Sequence, residues 1–428
     1  MARPAAVAII ASLAVALCVA SVGAQERQLT LAEAIGLAMA HNPALAVERH
    51  GMAIADGEVT KAQIYPHNPE LDVSPALGGD RQPSDSGLQF AYDAQVGVSQ
   101  VVELKGQGAI RLRRAKALAD QASWQARNAE RGVRVQVLSA FSAVLLAQQR
   151  VRLAGETVDL SRELLRVARE LYEAGHVPRL DALRAEVEER LAVNEQTAAA
   201  RALTALKRDL ALLMGQPSDS SFQAAGPLAY GALAIVEPAL TENALSVRPD
   251  VKAVEAGLQA TEAETALVQA EQTLPAVNLS ARYEFSREAE ARQHRAVLGL
   301  SVPLPVFNRR EGDLEIAMAR RSRQAARLDL VKATISAQVA QALERFRASR
   351  RIVEQFTQHI LPQQQDNFEM LREGYQLGQF TLTEVLVMQR EFIQGRSRYL
   401  DAIADFNAAL VDLEAASGGA VIDINRAP

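Results

Sequence analysis

The stretch LQFAYDAQVGVSQ, residues 88–100, is the part of the chain that decides the fold. Side chains on a β-strand alternate between two faces, and alternate residues here differ in polarity. One face comprises Leu88, Phe90, Tyr92, Ala94, Val96 and Val98, and the other Gln89, Ala91, Asp93, Gln95, Gly97 and Ser99. The stretch therefore predicts a strand with one oily and one polar surface.

The same alternation recurs in three other segments, which are 70–75, 275–287 and 295–304. We therefore expect one strand pair at about 69–104 and a second at about 275–304. The segments that connect the two members of each pair, 77–87 and 287–294, are polar and suited to water.

An internal duplication is visible in the sequence. YEAGHVPRLDALRAEVE at 172–188 and YQLGQFTLTEVLVMQRE at 375–391 share Tyr, Gly, an acid, Leu and Glu at identical spacing. Further pairs recur in the same order, namely 41–45 with 247–251, 68–73 with 274–279, and 96–100 with 298–302. Matches that recur in one order indicate two structural repeats.

The duplication divides the chain. We expect a first repeat at 25–217, a linker rich in Gly, Pro and Ser at 218–240, a second repeat at 241–417 and a C-terminal tail at 418–428. Each repeat contains one strand pair and a long helical region, about 107–214 in the first and 312–416 in the second.

The helical regions carry a coiled-coil pattern. From Val133 in the first repeat, and from Val331 in the second, apolar residues follow one another by alternating threes and fours. A helix of about 60 residues would form a rod about 90 Å long. Pro362 lies inside the second rod, where we expect a kink or a joint.

Residues 1–24 form a predicted signal peptide. Arg3 precedes an apolar run that ends in small residues, which fits cleavage after Ala24. A retained membrane anchor is one alternative. Lipidation of Cys18, the single cysteine, is another, although Leu17 is a poor residue to precede a lipidated cysteine. Cleavage after Ala24 would leave a mature chain without disulfides or thiol catalysis.

Composition narrows the class of protein further. The net charge of −5 argues against a nucleic-acid partner. No apolar run after residue 24 has the length of a membrane helix, so an exported chain of this kind could enter a membrane only as a barrel. Four strands cannot close a barrel, and open edges are not tolerated in lipid. The sequence therefore predicts a homo-oligomer with a shared barrel above long helical rods.

These features together resemble the TolC family of outer-membrane efflux ducts, closest to its CzcC/CusC-like heavy-metal efflux branch. The resemblance covers about 29–417 and rests on four sets of motifs: LTLAEAIGLAMAHNPAL at 29–45, AQIYPHNPELDV at 62–73, VGVSQVVELKGQ at 96–107 and the paired 172–188 and 375–391 segments. It implies a homotrimer in the outer membrane of a Gram-negative bacterium. A helical tunnel would project into the periplasm and meet an adaptor and an RND-type inner-membrane pump.

The resemblance also assigns the two strand faces. It implies that the oily face meets outer-membrane lipid, through Leu88, Phe90, Tyr92, Val96, Val98, Tyr283, Phe285, Leu298 and Leu300. It implies that the polar face lines a water-filled lumen, through Gln89, Asp93, Gln95, Ser99, Asn278, Arg282 and Glu284. The alternative is a soluble sandwich with one buried face.

In the family, the paired segments form turns at the periplasmic tip, where the tunnel narrows to a gate. The resemblance implies that the gate residues are Tyr172, Gly175, Asp181, Tyr375, Gly378 and Glu384. Three copies of Glu384 would form an acidic ring that attracts cations. The family pattern has a second acid one turn later, where this chain has Val387. Alternatively, Asp181 and Glu384 only cap or solvate their helices.

The sequence contains no evident catalytic or cofactor motif. Its six histidines do not pair at the spacing of a helical zinc site, so we expect no metal site and no cofactor. The leading hypothesis is a passive exit duct, for heavy-metal cations by resemblance. Two alternatives stay open: a periplasmic coiled-coil adaptor, and a duct of the same fold for drug efflux or polypeptide secretion.

Overall fold

The computed structural model describes residues 27–80, 89–218, 221–229, 240–273, 276–288, 291–376 and 379–419. The predicted signal peptide with Cys18, most of the linker, the C-terminal tail from residue 420 onward, Leu88 and Gly378 lie outside these residues. So do the side chains of Gln89, Phe90, Tyr92 and Tyr375, although these residues belong to described strands and helices.

The described part of the first repeat runs through β1 Arg27–Thr30, α1 Leu31–His41, α2 Pro43–Gln63, β2 Glu70–Asp80, β3 Gln89–Val102, α3 Gln107–Glu173 and α4 Arg179–Leu213. A short strand, β4 Phe222–Ala225, follows it. The second repeat runs through α5 Leu240–Val247, α6 Pro249–Thr273, β5 Val277–Glu288, β6 Ala291–Ser301, α7 Glu311–Gln355, α8 Leu361–Gln376 and α9 Leu382–Ser417. The duplication and the mainly helical fold with two strand pairs are confirmed.

The two strand pairs join into one antiparallel sheet in the order β2-β3-β5-β6. β5 and β6 pair as far as Glu288 opposite Ala291. The predicted polar connection at 287–294 is therefore mostly strand, because its residues continue the ladder of the hairpin. Within the described residues, β2 and β6 each leave one edge without a partner strand.

A second, smaller sheet was not predicted. β1 pairs in parallel with β4, from Arg27 opposite Phe222 to Thr30 opposite Ala225. It ties the start of the described chain to the segment that follows the first repeat.

The long helix of each repeat takes a different form. α3 is a single α-helix of 67 residues, about 100 Å long. In the second repeat a π-helical turn at Phe356–Ile360 separates α7 from α8, and Leu361 N–H donates to the Phe356 carbonyl. Pro362 has no N–H to donate to a carbonyl of the preceding turn. The predicted irregularity at Pro362 therefore takes the form of a π turn just before it.

Each repeat closes where its last helix returns to its second helix. In what we call the first joint, Asn42 Nδ2 donates to the Leu213 carbonyl at 2.8 Å, and Gly215 (φ +65°) lies against His41. In the second joint, Arg248 Nη1 donates to the Ala416 carbonyl at 3.0 Å, and Gly418 (φ +89°) lies against Arg248. The HNPAL and VRPDV segments of the sequence thus occupy equivalent places.

The buried core follows the helices rather than the sheet. Two large apolar clusters pack around Leu138 and Phe141 of α3, close to the two joints. A third lies at the far end of α3, around Leu164 and Ala168. Within the described ranges, no helix combines the length and the apolar character needed to span a membrane.

Candidate gate at the helical tip

The first helical hairpin turns at residues 174–178, between α3 and α4. His176 N–H donates to the Leu171 carbonyl at 2.9 Å, and Gly175 N–H donates to the Tyr172 carbonyl at 3.0 Å. Gly175 has a φ of +75°, a conformation that glycine adopts without the strain a side chain would cause. The predicted glycine therefore lies at the turn itself, and Tyr172 lies in the last turn of α3, 42% exposed.

The first acid of the predicted gate lies in the first turn of α4. Asp181 N–H donates to the Pro178 carbonyl at 3.1 Å, and the residue is half-buried. Pro178 is the N-cap residue, and it offers no side-chain hydrogen bond to the helix. A carboxylate in this position interacts favourably with the positive end of the helix dipole.

The second hairpin turns between α8 and α9. Gln379 N–H donates to the Gly374 carbonyl at 2.9 Å. A Cβ atom on Gly374 would lie 2.4 Å from Cε2 of Phe380, so a larger residue there would require this ring to shift. Gly374 and Phe380 therefore shape the turn together, and neither was predicted from the sequence.

Glu384 takes part in a capping box at the start of α9. Thr381 N–H donates to Glu384 Oε2 at 2.8 Å, and the Thr381 hydroxyl donates to the same oxygen at 2.9 Å. In return, Glu384 N–H donates to Thr381 Oγ1 at 3.4 Å. These bonds satisfy backbone donors that the first turn of a helix leaves free.

The capping box also sets the charge of Glu384. The backbone N–H of Thr381, and then its hydroxyl, hold the pKa of Glu384 below its ordinary value, because both hydrogen bonds favour the ionised carboxylate. The side chain is exposed. Val387, where the family pattern has its second acid, is 49% exposed.

The two hairpins pack together at the tip. Their shared apolar cluster, which we call the tip cluster, contains Leu164, Ala168, Ala185, Leu371, Leu382 and Val385. Around it, Gln389 Nε2 donates to Ser161 Oγ at 3.2 Å, and Arg390 pairs with Glu188. Arg184 Nη1 reaches Thr383 Oγ1 at 3.5 Å. Arg184, one helical turn after Asp181, therefore meets Thr383, the neighbour of Glu384, across the tip.

A groove of about 940 Å³ lies between α3 and α4 near the tip. Arginines and acids of the two helices form ion pairs across it, Arg162 with Glu189 at 3.3 Å and Arg169 with Glu186 at 3.7 Å. We call this surface the tip groove. Its walls are lined mainly by charged side chains.

The four-stranded sheet keeps two distinct faces. Predicted lipid-facing residues share one face, since Val96 lies opposite Tyr283, and Val98 lies opposite Ala281, which lies opposite Leu298. Leu298 is 87% exposed and Leu300 66%. Residues predicted to line the lumen occupy the other face, where Gln95 lies opposite Glu284, and Ser99 opposite Ser280.

Metal ligands do not cluster in the described part of the chain. No group of three or more His, Cys, Asp or Glu residues within it could hold a metal ion. The acids of the tip lie instead in helical first turns.

A family model for outer membrane efflux proteins matches residues 34–216 and again residues 240–419. The chain belongs to this family. The two matches coincide with the two repeats, so each repeat is one copy of the family's unit. The protein is therefore an efflux channel of the outer membrane that extends into the periplasm, not an enzyme.

Two relatives of known name match this chain over most of its length. The cobalt-zinc-cadmium resistance protein CzcC of Cupriavidus metallidurans is 27% identical over 387 residues, which are 90% of this chain and 89% of CzcC. Protein CyaE of Bordetella pertussis is 28% identical over 404 residues, 91% of this chain and 84% of CyaE.

Among solved structures, CusC has a TM-score of 0.77 at 16% identity, and the likeness covers 92% of this chain and 93% of CusC. At that identity the likeness shows the fold of the family and not the cargo.

The sequence analysis gave helix capping as an alternative role of Glu384, and the structure shows that Glu384 does cap α9. Its partner Thr381 was not predicted, although the pattern was visible in the sequence. Thr381 and Glu384 stand three residues apart before an apolar run, which is the pattern of a capping box. The contact of Gly374 with Phe380 had no such signal, because it depends on how the turn folds back.

Proposed function

We propose that this outer-membrane efflux channel is the exit duct of a tripartite system and that it carries heavy-metal cations. The observation that carries the proposal is the two-faced sheet, whose outer strands β2 and β6 each have one edge without a partner strand among the described residues. Backbone groups at such edges need partners in lipid, and further copies of the chain can supply them. Three copies would close one sheet around a polar lumen.

The tip would be the gate of this duct. With three-fold symmetry, the three copies of Glu384 would meet near the axis as a ring of ionised carboxylates. Such a ring attracts cations and repels anions. The capping box supports this role, since it fixes the carboxylate in one place and keeps it charged.

The partners of the duct would be a periplasmic adaptor and an inner-membrane pump of the RND type. We place the adaptor on the tip groove, whose arginines and acids offer both signs of charge to a helical partner. Charged side chains of this kind set orientation and specificity more than affinity.

The similarity to CzcC supports cobalt, zinc and cadmium as cargo. Drug efflux and polypeptide secretion are the alternatives. Expression of the chain with its genomic adaptor and pump, in a host that lacks its own efflux channels, separates them. We expect growth at raised zinc, cobalt or cadmium concentrations. Resistance to organic drugs alone would contradict the metal assignment.

The gate is tested by single-channel reversal potentials across a salt gradient. Glu384→Gln should weaken cation preference, and Glu384→Lys should abolish or reverse it. Glu33→Gln is a matched control, because Glu33 forms the same capping box with Thr30, at 2.9 and 3.0 Å, away from the tip. If Glu33→Gln changes selectivity as much as Glu384→Gln, or if Glu384→Lys leaves it unchanged, Glu384 is not the gate acid.

A further inference from the structure

The second repeat passes from the sheet to its long helix through residues 302–310, which we call the junction segment. They connect β6 to α7 and read VPLPVFNRR. The equivalent connection in the first repeat, residues 103–106 between β3 and α3, is shorter and reads ELKG. The junction segment thus contains a run of apolar residues before its two arginines.

The apolar side chains of the junction segment are turned to the surface. Phe307 is fully exposed, at 102% of its reference area, while Leu304 is 77% exposed and Val306 61%. Single exposed apolar residues are common on proteins, but a contiguous group of them marks a surface that meets another apolar surface. The junction segment is therefore a candidate interaction surface.

Polar contacts fix the helical end of the junction segment. Arg310 pairs with Glu271 of α6, and its backbone N–H donates to Asn308 Oδ1 at 2.9 Å. At the other end, Val306 N–H donates to the Leu304 carbonyl at 2.8 Å, and the two prolines of the segment restrict the backbone around this tight turn. The exposed phenylalanine lies between these two sets of contacts, so its position is defined from both sides.

The junction segment continues the oily face of the sheet. Leu298 and Leu300 lie on that face of β6, and both are exposed. Val302 and Leu304 each precede a proline, which disfavours the helical conformation at these residues, so the chain stays extended beyond the end of β6. Exposed apolar side chains therefore follow one another from the middle of β6 to Phe307.

A cation follows the apolar residues in both repeats. In the first repeat Leu104 is 54% exposed, and the exposed Lys105 comes next. In the junction segment the exposed Arg309 stands two residues after Phe307. Apolar and aromatic residues followed by a long cationic side chain are typical of the level where membrane hydrocarbon meets phosphate headgroups. The charge pattern therefore favours a phospholipid surface over an apolar surface of a protein.

We propose that the junction segment enters the periplasmic leaflet of the outer membrane. Leu304, Val306 and Phe307 lie among the acyl chains of its phospholipids, and Arg309 lies at the level of their phosphates. The inference rests on the proposed function, which places the sheet in lipid and the helices in the periplasm. A second copy of the chain is the alternative cover for these side chains.

The test measures where a tryptophan placed in the junction segment lies in a bilayer. Trp124 is the only tryptophan of the chain, so Trp124→Phe gives a full-length background without one. Phe307→Trp is added, and the trimer is placed in phospholipid bilayers whose acyl chains carry bromine either near the headgroup or near the chain end. Bromine quenches tryptophan on contact. Phe307→Trp should lose more fluorescence to the shallow bromines than to the deep ones.

Two matched variants calibrate the depth. Leu298→Trp lies on the oily face three residues before the end of β6, about 10 Å along the strand, and should lose more fluorescence to the deep bromines. Leu330→Trp replaces an equally apolar side chain that is 66% exposed on α7, about 28 Å from the start of that helix, and neither bromine should quench it. Leu304→Trp, a second position in the junction segment, should repeat the result for Phe307→Trp.

The outcomes separate this inference from the proposed function. If Leu298→Trp is quenched but Phe307→Trp and Leu304→Trp are quenched no more than Leu330→Trp, the membrane contact of the junction segment is wrong and the sheet still lies in lipid. Blue-shifted emission of Phe307→Trp without quenching would assign the segment to a contact with a second copy and would equally overturn the inference. If Leu298→Trp is not quenched either, the sheet does not lie in lipid and both proposals fail.

Discussion

In the first repeat the chain runs from sheet to tip along α3, whose 67 residues form one α-helix. In the second repeat the same path is divided into α7, a π turn and α8. The two joints, by contrast, use the same device, a side chain that caps the last helix beside a glycine with positive φ. The two repeats therefore share the geometry of their joints but differ in the long helix that leads from the sheet to the tip.

The π turn, which is present in the second repeat and absent from α3, indicates that the two hairpins differ in stiffness. An unbroken α-helix keeps every backbone hydrogen bond of its interior and bends only gently. A π turn disturbs that ladder at one place and concentrates bending there. We therefore expect the first hairpin to stay rigid. The second hairpin, which carries Glu384, should be the part that bends.

The largest expected effect is a loss of stability when the glycine of a joint is replaced, and the loss should differ between the two joints. A Cβ atom at Gly215 would lie 2.3 Å from the His41 carbonyl oxygen, whereas at Gly418 it would lie 3.0 Å from Cγ of the Arg248 side chain. Gly215→Ala should cost about 3–5 kcal/mol, from backbone strain plus a backbone clash, and Gly418→Ala about 1–2 kcal/mol. Thermal unfolding of the purified protein measures both, and equal losses would contradict the prediction.

The next largest effect is expected from a substitution that gives α3 a proline where the second repeat has Pro362. Asp159 stands as far before Tyr172 as Pro362 stands before Tyr375, and its side chain is 81% exposed. Asp159→Pro should cost about 3 kcal/mol, since proline removes one helical hydrogen bond and clashes with the preceding turn. Hydrogen exchange should accelerate in that turn of α3. Asp159→Ala, which keeps the N–H, should leave exchange slow.

A smaller effect separates the two tips. Only the second tip has a side-chain cap, so Thr381→Ala should destabilise the start of α9 by about 1 kcal/mol. Thr383→Ala removes the same kind of hydroxyl group two residues later, and it should destabilise the start of α9 less. Hydrogen exchange in the first turn of α9 reports the difference. Exchange in Thr381→Ala no faster than in wild type would mean that the capping box contributes nothing.

The smallest effect is the dependence of that cap on pH. The pKa of Glu384 is lowered in the folded protein from an ordinary value of 4.5, so the charged cap stabilises fully above that value. The contribution is lost as pH falls through the lowered folded pKa. The difference in Tm between wild type and Glu384→Gln should therefore shrink from pH 5 downward. Glu33→Gln should behave alike, because the pKa of Glu33 is lowered by the same bonds.

Much of this architecture was predictable because its signals are local. Alternation around Val96 and Val98 predicted β3, and the heptads from Val133 predicted α3. The pairing of β1 with β4 was not predictable, because it joins short segments that lie far apart in sequence. Pro362 predicted an irregularity, but its form depends on how the hydrogen-bond ladder adjusts around it.

The same distinction applies to the tip. The family resemblance implied a turn in each of the two matched segments, and Gly175 lies at one of these turns. Whether Asp181 and Glu384 reach the axis of a trimer stays a prediction, since it depends on contacts between copies. The bond between Arg184 and Thr383 had no sequence signal, because it arises only when both hairpins have packed.

The pairing of β1 with β4 has a consequence for the order of folding. The first residues of the described chain cannot complete their ladder until the segment after the first repeat has been synthesised and exported. Contacts between distant segments form late, because a long loop must close first. The β1–β4 ladder can then close before the second repeat emerges, so a chain interrupted after Ala225 should already protect Arg27–Thr30 from proteolysis, and one interrupted after Leu213 should not.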